Sequence, residues 1–180
     1  DRLAEQGLLT QNDMLKFDWG KNPSCISYDK IAEHRLQLLQ TAYENSNHLY
    51  RSDYMEFCKK QEHWLDDYAL FMACKDHFGQ CEWLKWNPDI KERDASALMN
   101  YRILLKEKIQ FWKFCQYQFY QQWNDVKTYA NEKEIYIIGD IPIYLALDSA
   151  DVWTHPDLFL LDNEKQPKVV AGVPPDAFSD

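Results

Sequence analysis

The longest patterned run sets the first limit on the fold. From about Asp94 to Ala130, the residues Leu98, Leu105, Ile109, Trp112, Phe119, Trp123, Val126 and Ala130 recur at helical spacing. A stripe of that period buries one face of a helix and leaves the other wet, so it requires something to pack against. A run this long is expected to bend or break once. Gln116 falls inside the stripe and is read as a buried amide paired with a neighbouring backbone group. Upstream, Trp64, Tyr68, Phe71 and Cys74 share one helical face, widened by Leu65, Ala69 and Met72, and Gly79 closes that helix. Ser52 reads as an N-cap, with Tyr54, Phe57 and Cys58 behind it. A further helix is expected from Tyr28 to Glu44, with Ile31, Leu38, Leu39 and Ala42 inward and Asn45-Ser46-Asn47 as its stop. Residues 11–27 mix Asn, Asp, Gly, Pro and Ser and read as a connector. Trp83, Trp86 and Pro88 mark an aromatic linker that cannot be regular helix throughout.

The pattern changes at Ile135-Tyr136-Ile137-Ile138-Gly139-Asp140. Four apolar, mostly β-branched residues run into Gly-Asp and then Pro142, which reads as a buried strand ending in a carboxylate at a turn. A helix feeding a buried parallel strand is half of a βαβ unit, and the polar residue at the strand's C-terminal end usually faces the ligand. Asp140 is therefore a candidate site residue; the competing assignment is an Asp that hydrogen-bonds only its own turn. Asp148-Ser149-Ala150-Asp151-Val152-Trp153 reads as a short capped helical turn, with Asp148 or Ser149 as cap. Phe159–Leu161 and Lys168–Val170 flank a turn signal and read as a small hairpin. Gly172-Val173-Pro174-Pro175-Asp176 is a loop stiffened by two prolines. The expected class is mainly α with some β.

Composition narrows the function. The 180 residues carry a net charge of -9 with no basic run, which disfavours a nucleic-acid partner and suits a neutral substrate. Aromatics reach 15%, with 7 Trp, enough for a packed core or a sugar-stacking surface. No apolar stretch approaches a membrane span and no basic-then-apolar leader opens the chain, so no membrane partner is expected. The 5 cysteines are never closely paired, which points to reduced thiols and a cytoplasmic setting.

Four carboxylates, Asp140, Asp148, Asp151 and Asp176, enrich the last third. Paired carboxylates are what glycoside chemistry uses, one as acid or base and one as nucleophile. Asp148 and Asp151 read as cap and turn residues. Asp140 and Asp176 sit beside conformationally fixed residues, which favours a positioned role. His63 with Asp66 and Asp67 reads as a solvated helix face, so no metal site is expected. No phosphate loop, dinucleotide fingerprint or nucleophile elbow is present, and no cofactor is expected.

Taken together, Ile138-Gly139-Asp140-Ile141-Pro142-Ile143-Tyr144, Asp148 to Trp153, Leu158 to Asp162 and Val170 to Ser179 resemble the amylomaltase family. These are the 4-alpha-glucanotransferases, or disproportionating enzymes. Trp64 to Phe71, Trp83 with Trp86, Phe114-Cys115-Gln116 and Gly7-Leu8-Leu9 extend the resemblance over nearly the whole chain. It implies an α/β parent: an elaborated (β/α)8 barrel with a mostly helical insertion. On that basis residues 1–27 are a barrel-derived connector and 28–130 the helical subdomain. Residues 131–180 are then a partial barrel segment with strand, hairpin and active-site loop. The implied reaction cleaves an α-1,4-glucan through a covalent glycosyl-enzyme and passes the glycosyl unit to another maltooligosaccharide, with retention. Asp140, Tyr144 and Asp176 are the implied substrate-binding residues, and Gly172, Pro174 and Pro175 belong to the loop that arches over the site.

The family's nucleophile and acid/base lie downstream of the Pro-Pro-Asp segment, and are expected here past Asp180. No catalytic residue is therefore assigned within the chain. It is read as an internal piece of a longer enzyme that on its own catalyses nothing. Asn87 stands where the family usually carries proline, and Leu145 and Leu147 are variants in the strand-end loop. The alternative reading is a non-catalytic helical carbohydrate-binding or protein-interaction module. A strand without parallel neighbours exposes its edges, so self-association of the truncated chain is also expected.

Overall fold

The computed structural model describes residues 2–20, 24–169 and 172. The described residues form α1 (Arg2–Glu5), α2 (Gln11–Leu15), α3 (Tyr28–Glu44), α4 (Ser52–His77), α5 (Pro88–Lys91), α6 (Ala95–Leu104), α7 (Lys106–Glu132) and α8 (Ala150–Thr154). Short 3-10 turns lie at His48–Tyr50, Trp83–Lys85 and Pro156–Leu158. The chain is mainly helical, and no helix of the described residues is long and apolar enough to cross a membrane.

α3 occupies the expected span. The patterns behind Ser52 and from Trp64 are one helix, α4, and the residue in the N-cap position is Arg51 rather than Ser52. α4 stops where Gly79 takes φ +66, a left-handed conformation that glycine adopts without steric cost. Gln80 follows at φ +64, and its N–H reaches back to the Lys75 carbonyl at 2.7 Å. The run from Asp94 breaks once, at Leu105, between α6 and α7. Asp94 caps α6 by accepting the Ser96 and Ala97 N–H groups. The connector holds an unexpected helix, α2. Thr10 and Asp13 form a reciprocal capping box, and Lys16 and Thr10 hold the Asp13 carboxyl well below the usual range.

The main core lies where α4, α6 and α7 meet the Trp83–Lys91 linker and α8. Phe78 stacks on Trp86 at 5.5 Å between ring centroids, and Phe71 lies 5.4 Å from Trp86 and 5.9 Å from Trp153. Half of the expected α7 stripe is not core. Leu105, Ile109 and Trp112 are buried, but Phe119, Trp123 and Val126 are 58%, 41% and 56% exposed. The inner face shifts after Trp112 to Phe114, Tyr117 and Gln118, because α4 now covers Tyr117 and Tyr120 through Tyr54, Phe57 and Trp64. Gln116 is half-buried beside the Tyr68 hydroxyl, and among the described residues its amide makes no hydrogen bond to a neighbouring backbone group.

The expected buried strand at Ile135–Ile138 is not a strand. α7 unwinds through Glu134 at φ +60, and residues 135–142 have no regular secondary structure, with Ile138 94% exposed. A parallel strand persists only when a neighbour accepts and donates its ladder bonds, and no described residue pairs with it. The partial barrel expected over residues 131–180 is therefore not formed among the described residues. The hairpin contracts to one antiparallel bridge, Leu161 with Pro167, continued by Lys168 N–H donating to the Leu160 carbonyl at 2.8 Å. Asp162 closes its turn by accepting the Glu164 and Gln166 N–H groups. Val170, at the end of the second arm, lies outside the described residues.

A buried histidine gives the core a pH dependence. His48 is 4% exposed, with the rings of Tyr43, Tyr54 and Phe114 at 4.9, 4.8 and 5.0 Å. Ser46 Oγ donates to the Tyr43 carbonyl, so it accepts from His48 Nδ1–H, and Nε2 finds no hydrogen-bond partner among the described residues. Burial pushes the imidazole below its ordinary 6.5. The neutral ring is the folded form, so its contribution is complete above 6.5 and is lost as pH falls below that value. Melting temperatures are expected to fall between pH 7 and pH 5 in the wild type, and this slope should flatten in His48→Gln.

A candidate substrate-binding groove

The arm after α7 returns to the helical body through α8. Ser149 caps α8 by accepting the Val152 N–H at 3.3 Å, which turns Val152 and Trp153 inward. Trp153 is 1% exposed and donates its indole N–H to the Ile90 carbonyl at 3.2 Å. The Arg93 guanidinium lies 4.3 Å over its ring and makes a two-oxygen pair with Asp67, both at 2.9 Å. Arg93 holds φ +58 to do so.

Asp148 is the second attachment. Its carboxylate accepts from Lys75 Nζ at 2.6 Å and from the Trp83 backbone N–H at 3.1 Å, while the Trp83 indole N–H donates to the Leu147 carbonyl at 2.7 Å. It does not cap α8, as one reading of the sequence had it.

Between these attachments and the Leu161–Pro167 bridge lies an open cavity of about 640 Å³. Ile143, Tyr144, Leu145 and Leu147 line it together with Phe159, Leu161 and Gly172. Of the residues singled out from the sequence, the fold brings Tyr144 and Gly172 together here. Tyr144 is 70% exposed. Asp140 lies outside the groove, exposed, with Oδ1 accepting the N–H of its neighbour Ile141 at 2.7 Å. Pro174, Pro175 and Asp176 lie outside the described residues. Asp180, past which the family resemblance puts the nucleophile and the acid/base, lies outside them too. Asp151 is exposed and borders a small pocket of about 110 Å³ with His63, Asp67 and His155. Among the described residues, no group of three or more His, Cys, Asp or Glu is placed to hold a metal ion.

No carboxylate lines the groove among the described residues. Its chemistry is apolar contact plus one phenol hydroxyl, which can bind and orient a ligand but supplies no acid, base or nucleophile. Sequence reasoning missed Lys75, Trp83, Arg93 and Asp67 as organising residues. A lysine in the last turn before a left-handed stop is a faint signal for the first; Arg93 offered none.

A family model described as 4-alpha-glucanotransferase matches residues 1–180. The 4-alpha-glucanotransferase of Clostridium butyricum is 45% identical over 181 residues, covering 100% of this chain and 37% of that protein. That of Aquifex aeolicus is 39% identical over 180 residues, covering 99% of this chain and 36% of that protein. In structure, the chain matches the amylomaltase from Streptococcus agalactiae in complex with acarbose, with a TM-score of 0.89 and 40% identity over 100% of this chain and 37% of that one. The chain belongs to the 4-alpha-glucanotransferase family. It spans between 36% and 37% of the length of these relatives.

The groove's exposure has a mutational consequence. Trp153→Ala should lower stability by about 3–5 kcal/mol in urea unfolding, because it empties a fully buried indole site. Asp140→Asn and Tyr144→Phe should each stay within about 0.5 kcal/mol of wild type.

Proposed function

We propose that this chain is part of a 4-alpha-glucanotransferase that moves α-1,4-glucan segments between maltooligosaccharides. The observation that carries this reading is the family match across residues 1–180, with 45% identity to a 4-alpha-glucanotransferase. The reaction retains configuration through a covalent glycosyl-enzyme. Asp140 and Tyr144 contact the donor glucan, Asp176 joins them, and Gly172, Pro174 and Pro175 carry the loop over the site. A stiff loop that excludes water favours transfer to a sugar hydroxyl over hydrolysis. The nucleophile and the acid/base come from the part of the protein that the match to its relatives leaves uncovered.

In this reading residues 1–27 connect to the barrel, 28–130 form the helical subdomain, and 131–180 bring a barrel strand, a hairpin and the site loop. The exposed run Ile135–Ile138 becomes a barrel strand once parallel neighbours are present; the apolar residues Phe119, Trp123 and Val126 support this, since they need a covering surface. No cofactor, nucleic acid or membrane takes part, and the enzyme works in the cytoplasm.

Maltotriose disproportionation tests the reading. The intact protein should convert maltotriose to glucose and longer maltooligosaccharides, while these 180 residues alone should stay at blank level. An intact protein that only hydrolyses, or an active isolated chain, contradicts it. In the same preparation the isolated chain self-associates through the exposed run Ile135–Ile138, and light scattering that reads a strict monomer counts against that part.

A further inference from the structure

The segment that bears Asp140 and Tyr144 has almost no hydrogen bonds of its own. Among the described residues, Tyr136 to Ala146 make one, from the Ile141 N–H to the adjacent Asp140 side chain. Upstream it is tied by the Ile135 N–H to the Ala130 carbonyl at 2.9 Å. Downstream it is tied at Leu147 and Asp148. Among the described residues the strip is tied at its two ends, and even with Ile135–Ile138 paired as a barrel strand the run from Gly139 to Ala146 still takes its course from that strand's end and from Leu147 and Asp148.

The downstream tie is fully satisfied. Lys75 Nζ uses all three of its donors, on the Gln80 carbonyl at 3.0 Å, the Cys81 carbonyl at 2.9 Å and Asp148 Oδ2 at 2.6 Å. The Lys75 side chain is 11% exposed and that of Asp148 32%, so this is not an ordinary surface ion pair. The Trp83 backbone N–H occupies Asp148 Oδ1, and its indole N–H, on a side chain in a residue 1% exposed, occupies the preceding carbonyl at 2.7 Å. One residue of the linker thus grips two consecutive residues of the strip, and one lysine binds the C-terminal turn of α4 to the same carboxylate. Networks of this kind lose geometry as a unit when one charge is removed.

We infer that Asp148 is a positioning residue of the glucan-transfer reaction: with Lys75 and Trp83 it sets where Tyr144 and Asp140 meet the donor glucan. This rests on the transferase reading given above. It also separates Asp148 from a residue that only stabilises the fold, because misplacing two binding residues raises KM even in a protein that stays folded.

The test uses the intact protein. Asp148→Asn keeps an acceptor for the Trp83 N–H but loses the negative charge that pairs with Lys75. Lys75→Met removes the donor. The control is Leu65→Ala, in a core residue of α4 that is 0% exposed, far from the strip in sequence and absent from the groove. Maltotriose KM and kcat, melting temperature, and solvent exchange of the Trp83 indole proton are measured for each. Asp148→Asn and Lys75→Met should each raise KM about tenfold with kcat within about threefold. Their double variant should be no worse than either single variant, and Leu65→Ala should lower the melting temperature without moving KM. Indole exchange should quicken in both latch variants. A KM within twofold of wild type in Asp148→Asn, with indole exchange quickened, overturns the inference, and so does a KM rise matched by Leu65→Ala. A wild type that transfers no glucosyl units sinks the transferase reading and this role together; an active wild type with an unmoved KM sinks this role alone.

Discussion

Trp153 is the point from which the last third of the chain hangs. Its indole is enclosed by Phe71 and Trp86, capped by the Arg93 guanidinium, and bonded to the Ile90 carbonyl. Those contacts come from α4, the linker, and the turn after α5. Burying a side chain of this size is among the largest single stabilising terms a small domain has. Five residues upstream, Asp148 adds direction to that attachment. Among the described residues the strip from Tyr136 to Ala146 has no ladder bonds, and its ties there are to the end of α7 upstream and to Leu147 and Asp148 downstream.

Periodicity made the helical body legible. α3 runs over the span its apolar residues mark, and the long run breaks once, at Leu105. The same periodicity misled beyond Trp112. Phe119, Trp123 and Val126 continue the stripe, but α4 packs instead against the line through Tyr117 and Tyr120. A hydrophobic stripe records what a helix is built to meet, not what this chain supplies. The strand failed for the same reason, since Ile135 to Ile138 carry strand-forming residues without any described partner for their backbone groups. The Thr10–Asp13 capping box was a local signal in plain view, passed over because the surrounding composition read as connector.

The site candidates were drawn from motif rather than geometry. Tyr144 and Gly172 meet in one groove, and Asp140 stands outside it with its carboxylate turned onto its own backbone. Asp148 was read as a cap, because Asp before a short helix is most often that. Its partners Lys75 and Trp83 are 73 and 65 residues away, a distance at which spacing says nothing. Among the described residues no carboxylate lines the groove, and the chain spans 36–37% of the length of these relatives.

One proposal stands at the centre: this chain holds a folded helical body and a site-bearing strip that becomes a barrel strand only in the intact protein. Amide hydrogen exchange at Ile135 to Ile138 measures it directly. The isolated chain should exchange there at nearly the rate of an open peptide, while α4 stays protected, and in the intact protein the same amides should slow by about a thousandfold or more. Equal rates in the two proteins, whether both fast or both slow, would contradict it.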